Sequence, residues 1–167
     1  MKALRMISIS FLLALAVACT KQVESSEPVT PEVSAAGVNK TLILQLVNDV
    51  RTKGCQCGDT YYPPAPAVTW NDLLEKAAAN HSQDMSQNNY FSHTSPSGGN
   101  AGTRIAAVGY RWTAYGENIA MGYNDERTVV TGWINSPGHC KNIMNKNYKE
   151  MGVAKVNSYW TQAFGSK

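Results

Sequence analysis

The sequence predicts an α+β sandwich, because helical patterns dominate the first half of its folded part and strand patterns dominate the end. Apolar side chains recur at helical spacing over residues 42–50, and Gly54 stops that pattern. Residues 151–156 and 159–164 instead alternate between apolar and polar side chains, with a two-residue turn between them. Residues 40–167 are enough for one compact domain with its own core.

The remaining elements follow from local patterns and breaker residues. Asn71 or Asp72 is a suitable cap for the second helix. His81 lies on the apolar stripe of that helix, which favours a buried structural imidazole over a ligand. The predicted order begins with a helix over 39–53, an extended proline-rich connection over 58–67, a helix from 71 to 85 and a polar loop over 88–100. It continues with a short helix over 102–108, a strand over 115–121, a helix over 125–134, one helical turn over 140–144 and the two strands of the hairpin.

The first residues predict export and membrane anchoring. Residues 1–18 have the layout of a secretory signal, with a basic start, an apolar stretch and small residues at its end. The sequence Ala-Val-Ala-Cys ending at Cys19 resembles a bacterial lipoprotein box, so we expect Cys19 to carry lipid in the cell envelope, outside the cytoplasm. The alternatives are ordinary cleavage after Ala18, which gives a secreted protein with a thiol, and a permanent membrane helix. Residues 19–39 are rich in Ser, Glu and Pro and are predicted to form a flexible tether.

The net charge of the chain gives no reason to expect nucleic-acid binding. The formal net charge is +3, and two of its positive charges, Lys2 and Arg5, belong to the signal. The mature chain is therefore nearly neutral, and it has no lysine or arginine cluster with interleaved aromatic residues. We expect no nucleic-acid partner.

Two of the three histidines lie in short, turn-rich segments. His93 is in Phe-Ser-His-Thr-Ser-Pro and His139 is in Ser-Pro-Gly-His-Cys, and Glu117 lies between them in Gly-Glu-Asn. Imidazoles and carboxylates on loops that a scaffold brings together can bind a metal ion or move protons. The sequence therefore predicts a shared site for these three side chains.

Five motifs occur in order along the chain: Phe-Ser-His-Thr at 91–94, Gly-Glu-Asn-Ile-Ala at 116–120, Gly-Trp at 132–133, Ser-Pro-Gly-His at 136–139 and Tyr-Trp-Thr-Gln-Ala-Phe-Gly at 159–165. Together they resemble the CAP superfamily, whose domain is also called the SCP domain and which includes cysteine-rich secretory proteins, antigen 5 and plant pathogenesis-related proteins. The resemblance covers about residues 40–165, and the chain is similar to the short bacterial branch. It implies a single domain built as a three-layer α–β–α sandwich.

The resemblance also implies a central cleft with two histidines and two glutamates. His93 and His139 match the two histidines, and Glu117 matches the first glutamate. The position of the second glutamate is occupied by Ser136, and Glu126, although near in sequence, is not its substitute. The set of four is therefore incomplete in this chain.

The cysteines predict one disulfide and one spare thiol. With Cys19 lipidated, three cysteines are left in an oxidising compartment, and three is an odd number. Cys55 and Cys57 are too close in sequence for an easy mutual bridge, so Cys140 takes one of them; three reduced thiols and a zinc site are the alternatives. The resemblance implies Cys57, because Cys57-Gly58 matches the cysteine that is usual in this branch.

The chemistry of the three cleft residues favours binding over catalysis. His93 and His139 could hold a weak, exchangeable zinc ion, with Glu117 as a ligand or as a support for one imidazole. Alternatively, Glu117 fixes a histidine without any metal. A serine-based triad is not supported, because the Gly-x-Ser-x-Gly pattern is absent.

We therefore expect an anchored binding or interaction module that acts on a lipid, an envelope polymer or a protein. The alternative is a weak metal-dependent hydrolase that uses the same cleft. No established catalytic constellation decides whether the protein is an enzyme.

Overall fold

The computed structural model describes residues 37–167. The signal, Cys19 and most of the tether lie outside the described residues. The helices are α1 Lys40–Lys53, α2 Asp72–Asn88, α3 Ala101–Ala107, α4 Glu126–Asn135 and α5 Pro137–Met144. The strands are β1 Cys55–Cys57, β2 Thr60–Tyr62, β3 Thr69–Trp70, β4 Ala114–Met121, β5 Glu150–Val156 and β6 Tyr159–Ser166.

A four-stranded sheet forms the middle of the molecule. Its strand order is β3-β5-β6-β4, with β3 parallel to β5 and the other two pairs antiparallel. β5 and β6 form the predicted hairpin, and Asn157 at its turn has a φ of 53°. β6 is hydrogen-bonded along its length to β4 on one side and to β5 on the other.

Helices cover both faces of this sheet, which confirms the three-layer α–β–α sandwich. On β5, Met151 and Val153 point to one face and belong to the core shared with α1, α4 and α5. Ala154 points to the opposite face and belongs to the core shared with α2 and α3. This alternation follows from the two-residue period of a strand. None of the helices within residues 37–167 is long and apolar enough to cross a membrane.

Helix α2 lies very close to the sheet at Gly152. A Cβ atom placed on Gly152 would come within 2.6 Å of the Cα atom of Glu75 and closer still to the backbone of Leu74. The absence of a side chain therefore allows the first turn of α2 to rest on β5. Asn71 caps this helix, as predicted, by accepting hydrogen bonds from Leu73 N and Leu74 N.

The packed domain begins slightly before the predicted boundary. Val38 is fully buried, and the side chain of Asn39 caps α1 by accepting a hydrogen bond from Leu42 N at 3.0 Å. The backbone N–H of Asn39 also donates to Glu126 Oε1 at 2.7 Å. These two residues, which the sequence assigns to the tether, are therefore fixed against α1 and α4.

The connection after α1 is more regular than predicted. β1 and β2 form a short antiparallel hairpin whose second strand lies within the segment that was expected to be merely extended. The disulfide between Cys57 and Cys140 is present, with the Cα atoms 5.4 Å apart, and it confirms the predicted pairing. It fastens this hairpin to α5, because Cys140 lies on that helix.

A buried arginine holds α1 to the end of α5. Arg51 is fully buried and faces no carboxylate partner among the described residues. Its guanidinium instead donates to four backbone carbonyl groups, those of Pro66, Ile143, Asn145 and Tyr148. Hydrogen bonds from a charged donor to several carbonyls offset part of the cost of burying the charge.

Candidate functional site

The fold brings the two predicted cleft histidines to one cavity. His93 lies in the irregular segment after α2, and His139 lies in α5. Both line a cleft of about 520 Å³. Glu117, in the middle of β4, lies next to His93. The structure thus places His93 and His139 on one cleft and Glu117 beside His93, while Glu117 does not itself line that cleft.

Glu117 is held by two partners inside the protein. Its Oε1 atom is 2.8 Å from His93 Nδ1, and its Oε2 atom is 2.7 Å from Arg104 Nη2. The side chain of Glu117 is only 6% exposed, whereas that of His93 is 55% exposed. Both carboxylate oxygens are therefore engaged by neighbouring side chains.

These partners keep Glu117 ionised. Burial alone would raise its pKa, but the hydrogen bond with His93 and the charge of Arg104 outweigh burial, so the pKa lies below its usual range. An ionised carboxylate only accepts hydrogen bonds, so Nδ1 of His93 carries the proton that it donates. The other ring nitrogen, Nε2, is then the one left for a ligand.

Arg104 also shapes the segment that carries His93. Its Nη2 atom donates to His93 O at 3.0 Å, and its Nη1 atom donates to Gly99 O at 2.9 Å. One guanidinium thus joins the buried carboxylate of β4 to the irregular segment between α2 and α3. Because α3 carries Arg104, this short helix positions the loop as well as the charge.

The position of His139 depends on an amide network. Asn118 Nδ2 donates to His139 O at 3.2 Å and to Gln162 Oε1 at 2.9 Å. Asn142 Nδ2 donates to Glu117 O and Asn118 Oδ1, each at 2.9 Å. Through these bonds α5 is fixed to β4 and β6 beneath the cleft.

His139 is half-buried and favours its neutral form. Burial lowers its pKa, and the nearby charge that His93 can carry lowers it further. A neutral imidazole offers one nitrogen lone pair to a hydrogen-bond donor or a metal ion.

The predicted turn around His139 is in fact helical. α5 begins at Pro137, so Gly138 and His139 belong to its first turn and not to a loop. Proline is well suited to this first position, because its fixed φ matches a helix and its missing N–H has no partner there anyway. Ser136 precedes the helix and lines the cleft. Glu126 does not line the cleft, and its carboxylate accepts a hydrogen bond from Asn39 N.

The third histidine, His81, is a buried structural residue. It is completely buried, and its Nε2 atom is 3.0 Å from Ser92 O, which places the ring directly under the His93 segment. Its Nδ1 atom has no hydrogen-bond partner among the described residues. Burial lowers its pKa, with Glu117 acting in the opposite direction. His81 therefore supports the site from below in its neutral form.

Part of the cleft lining is apolar and exposed. Phe91 is 48% exposed, Met121 50% and Tyr123 36%, and all three line the cleft. Ile119 and Trp133 form its buried floor. The cleft thus combines two imidazoles with a surface that can contact an apolar group.

The candidate metal ligands are not gathered into a compact set. Among residues 37–167, the three cysteines 55, 57 and 140 are the one group of at least three His, Cys, Asp or Glu side chains whose ligand atoms all lie within 4.8 Å of one another. His93, Glu117 and His139 do not meet that spacing. Two of the cysteines are joined as a disulfide, and Cys55 is free.

Sequence reasoning missed Arg104 and the two asparagines, 118 and 142. Asn118 stands next to Glu117, but its partner Gln162 is 44 positions away in the chain. Arg104 carries no motif and lies in a short helix between two loops. The signal that could have indicated it is the need of a buried carboxylate for a cationic partner.

The fold and cleft define a CAP-type domain. The sequence matches the cysteine-rich secretory protein family (CAP) over residues 44–164, and the chain belongs to that family. It is 42% identical over 99 residues to the uncharacterized protein YkwD of Bacillus subtilis (strain 168), an alignment that covers 58% of this chain and 38% of YkwD. It is 36% identical over 122 residues to the uncharacterized membrane protein YlbC of the same organism, covering 73% of this chain and 33% of YlbC.

A solved structure shows the same architecture. The crystal structure of an extracellular protein containing an SCP domain from Bacillus anthracis str. Ames has a TM-score of 0.70 and 33% identity, and the match covers 85% of this chain and 45% of that one. The chain thus spans less than half of that protein and about a third of the two curated relatives.

Proposed function

We propose that the protein is an extracytoplasmic binding module whose cleft recognises a ligand through His93 and His139. The observation that carries this proposal is the engagement of both Glu117 oxygens, by His93 and by Arg104. A carboxylate that is ionised, buried and hydrogen-bonded through both of its oxygens is poorly placed to take a proton from a substrate. What the cleft offers instead is two imidazoles and an open apolar side.

The composition of the cleft supports an amphipathic ligand. The imidazoles can bind a polar or anionic group, while Phe91, Met121 and Tyr123 can cover an apolar one. A lipid, a polymer of the envelope and an exposed protein segment all combine such groups. The ligand is expected to lie along the cleft, with its polar end next to His93 and His139.

We further propose that lipid on Cys19 holds the protein at a membrane. The Cys57–Cys140 disulfide supports a location outside the cytoplasm, because structural disulfides persist in oxidising compartments. The Bacillus anthracis relative is described as extracellular, and YlbC is named a membrane protein. Mass spectrometry of the mature N-terminus tests the lipid directly. Release of Cys19→Ala into the soluble fraction is expected, and its retention in the membrane fraction would contradict the anchor.

The binding test compares two probes with the Cys19→Ala form of the protein. Vesicles of phosphatidylglycerol and phosphatidylethanolamine represent a lipid ligand, and purified peptidoglycan sacculi represent an envelope polymer. His93→Ala/His139→Ala and Phe91→Ser/Met121→Ser are expected to weaken co-sedimentation with the preferred probe about tenfold, equivalent to about 1.4 kcal/mol. Tyr61→Ser is the control, because Tyr61 is 59% exposed and does not line the cleft. Equal binding by all four proteins would contradict a role for the cleft.

A weak metal-dependent hydrolase is the second candidate. The carboxylate–histidine pair of Glu117 and His93 favours it, because a metal-binding histidine commonly donates its other N–H to a carboxylate. Zinc would be held by His93 and His139, and it would supply an activated water for hydrolysis. Two protein ligands are fewer than the usual three of a catalytic site, so binding would be weak and exchangeable.

Calorimetric titration with zinc separates the two candidates. The titration is done in the Cys55→Ser variant, so that the free thiol contributes no heat. Binding heat that is seen in Cys55→Ser and is lost when His93→Ala/His139→Ala is added to that variant would support a zinc site. If zinc produces no heat, the metal-dependent hydrolase is excluded as a candidate function, and the proposal of a binding module still stands.

A further inference from the structure

The geometry points to a thiol–disulfide exchange site at Cys55, Cys57 and Cys140, separate from the cleft function proposed above. Cys57 and Cys140 form the disulfide, and the Sγ atom of Cys55 lies 3.7 Å from the Sγ atom of Cys140. All three sulfur atoms lie within 4.8 Å of one another. A free thiol therefore lies in contact with the disulfide that it can attack.

Strand geometry makes Cys55 and Cys57 interchangeable partners. They are two residues apart on β1, so their side chains leave the same face of the strand. That face packs against α5, which carries Cys140. Gly54 and Gly58 flank β1 with φ values of 80° and 61°, a region in which other residues are strained.

The exchange is balanced without any added oxidant or reductant. The thiolate of Cys55 attacks the Sγ atom of Cys140, the new Cys55–Cys140 bond forms, and the Cys57–Cys140 bond breaks. The electron pair of the broken bond leaves on Cys57, which takes up the proton that Cys55 lost. One disulfide and one thiol are present before and after the step.

Exchange requires a small movement of Cys55. Attack proceeds along the axis of the disulfide, and a sulfur in that line at the observed contact would lie about 5.7 Å from the leaving sulfur of Cys57. The actual separation is below 4.8 Å, so Cys55 lies beside the bond and not behind it. Rotation of its half-buried side chain, with a shift of β1, brings it into line.

The two forms differ in which thiol is accessible. In the described form the free thiol is Cys55, which is half-buried, while Cys57 is 1% exposed. In the exchanged form the free thiol belongs to the buried position. Burial also raises the pKa of the Cys55 thiol, so little thiolate exists at neutral pH and the exchange accelerates as the pH rises.

Differential alkylation of the full chain tests this proposal. The oxidised protein is moved from pH about 5, where thiolates are scarce, to pH about 7 or 8, and is then returned to acid, unfolded and labelled with N-ethylmaleimide. Trypsin places Cys55 and Cys57 on peptide 54–76 and Cys140 on peptide 128–141, with Cys19 on a separate peptide. Fragmentation of the linked peptides shows which cysteine is labelled.

Label is expected on Cys55 at first and then increasingly on Cys57. The initial rate of its appearance on Cys57 should rise up to about tenfold per pH unit, in proportion to the thiolate of Cys55. In Cys57→Ser the same method should find a Cys55–Cys140 bridge and no free thiol on the two peptides. Cys55→Ser is the matched control and should keep its native bridge at every pH. Label that stays on Cys55 alone at every pH and time would overturn the proposal, as would two free thiols in folded Cys57→Ser.

Discussion

Glu117 is the residue on which the geometry of the cleft depends. Its carboxylate is buried between a solvent-facing histidine and an internal arginine, and its backbone oxygen accepts from Asn142. This residue therefore links β4, α3, α5 and the loop that carries His93. A change at either side-chain partner, His93 or Arg104, should alter the stability of the domain as well as the cleft.

Removal of Arg104 tests that dependence. Arg104→Met should lower the free energy of unfolding by about 3 kcal/mol, because it leaves a buried carboxylate without its cationic partner. Arg111→Met is the matched control, since Arg111 is exposed, and it should change the free energy by less than about 0.5 kcal/mol. Urea unfolding measures both. Similar values for the two variants would show that the Arg104–Glu117 pair is not a stabilising element.

The buried imidazole of His81 predicts a loss of stability in mild acid. Burial lowers its pKa in the folded state, whereas an unfolded histidine titrates near its ordinary value of about 6.5. The unfolded chain therefore binds more protons as the pH falls, and stability that is present above pH about 6.5 is lost below it, by up to about 1.4 kcal/mol per pH unit. His139, whose pKa is also lowered, adds a contribution of the same sign.

His81→Gln should flatten this dependence while keeping a donor for the Ser92 carbonyl. Urea unfolding between pH about 5 and 7 measures the slope. The Glu117 carboxyl titrates below this window, because its pKa lies below its ordinary value. An unchanged slope in His81→Gln would contradict the assignment of the acid sensitivity to His81.

At the scale of an element, the contact of α2 with β5 is set by a single glycine. Gly152→Ala should lower the free energy of unfolding by about 3 kcal/mol or more, because its Cβ would overlap the backbone of α2, which cannot move aside as a side chain can. Gly138→Ala is the matched control in α5. Nothing lies within 4 Å of a Cβ atom at Gly138, so alanine there should be neutral or stabilise the helix by up to about 1 kcal/mol.

Thermal or urea unfolding of the two alanine variants gives the comparison. If Gly152→Ala is as stable as Gly138→Ala, then α2 and β5 can separate without cost, and the close approach does not determine the packing of this layer.

Most helices and strands were predicted within a few residues, including the short α3 and also β4 and α4. α1, α2, β5 and β6 follow regular apolar patterns, so their positions were confirmed within a few residues. The β1–β2 hairpin has strands of only three residues each, too short for a period to develop. The start of α5 was obscured by Pro137 and Gly138, which indicate a turn unless the first position of a helix is considered.

The cleft could be predicted in part, because its residues differ in how they are specified. His93, Glu117 and His139 stand in recognisable motifs. Arg104 and Asn142 act through distances that only the folded chain creates, and Tyr123 lines the cleft without belonging to any of the motifs. Single residues of common types such as these form no local sequence motif, so the sequence does not indicate that they belong to the cleft.

At the scale of the whole molecule, the disulfide joins residues 83 positions apart. Cys140→Ser removes the bridge whichever cysteine is its partner, and it should lower the free energy of unfolding by about 4.5 kcal/mol on the chain-entropy estimate. Cys55→Ser should change it little, because Cys55 is free. Urea unfolding without reductant measures the free energy of unfolding of both variants. With a reductant, the two free energies should become similar, because the bridge in Cys55→Ser is then broken as well. Equal stability without reductant would contradict a stabilising role for the bridge.

The fold class followed from the sequence because whole-molecule architecture rests on the order of elements and not on single contacts. Helical patterns before strand patterns, in a chain with one core, favour an α+β sandwich, and its three-layer form was implied by the resemblance to the CAP superfamily. The pairing of β3 with β5, by contrast, involves only Thr69 and Trp70 on one side, and two residues carry no strand signal.

The central place of β6 has a kinetic consequence. Within residues 37–167, β4 pairs with β6 alone, so its backbone hydrogen-bonding edge has no strand partner until residues 159–166 are available. As the chain is synthesised from its N-terminus, the helices can form early, but the four-stranded sheet must wait for β6, which follows the other described elements in the sequence. Such non-local pairing slows folding. Shortening the chain within β6 should therefore remove the sheet as a unit, and not merely loosen its end.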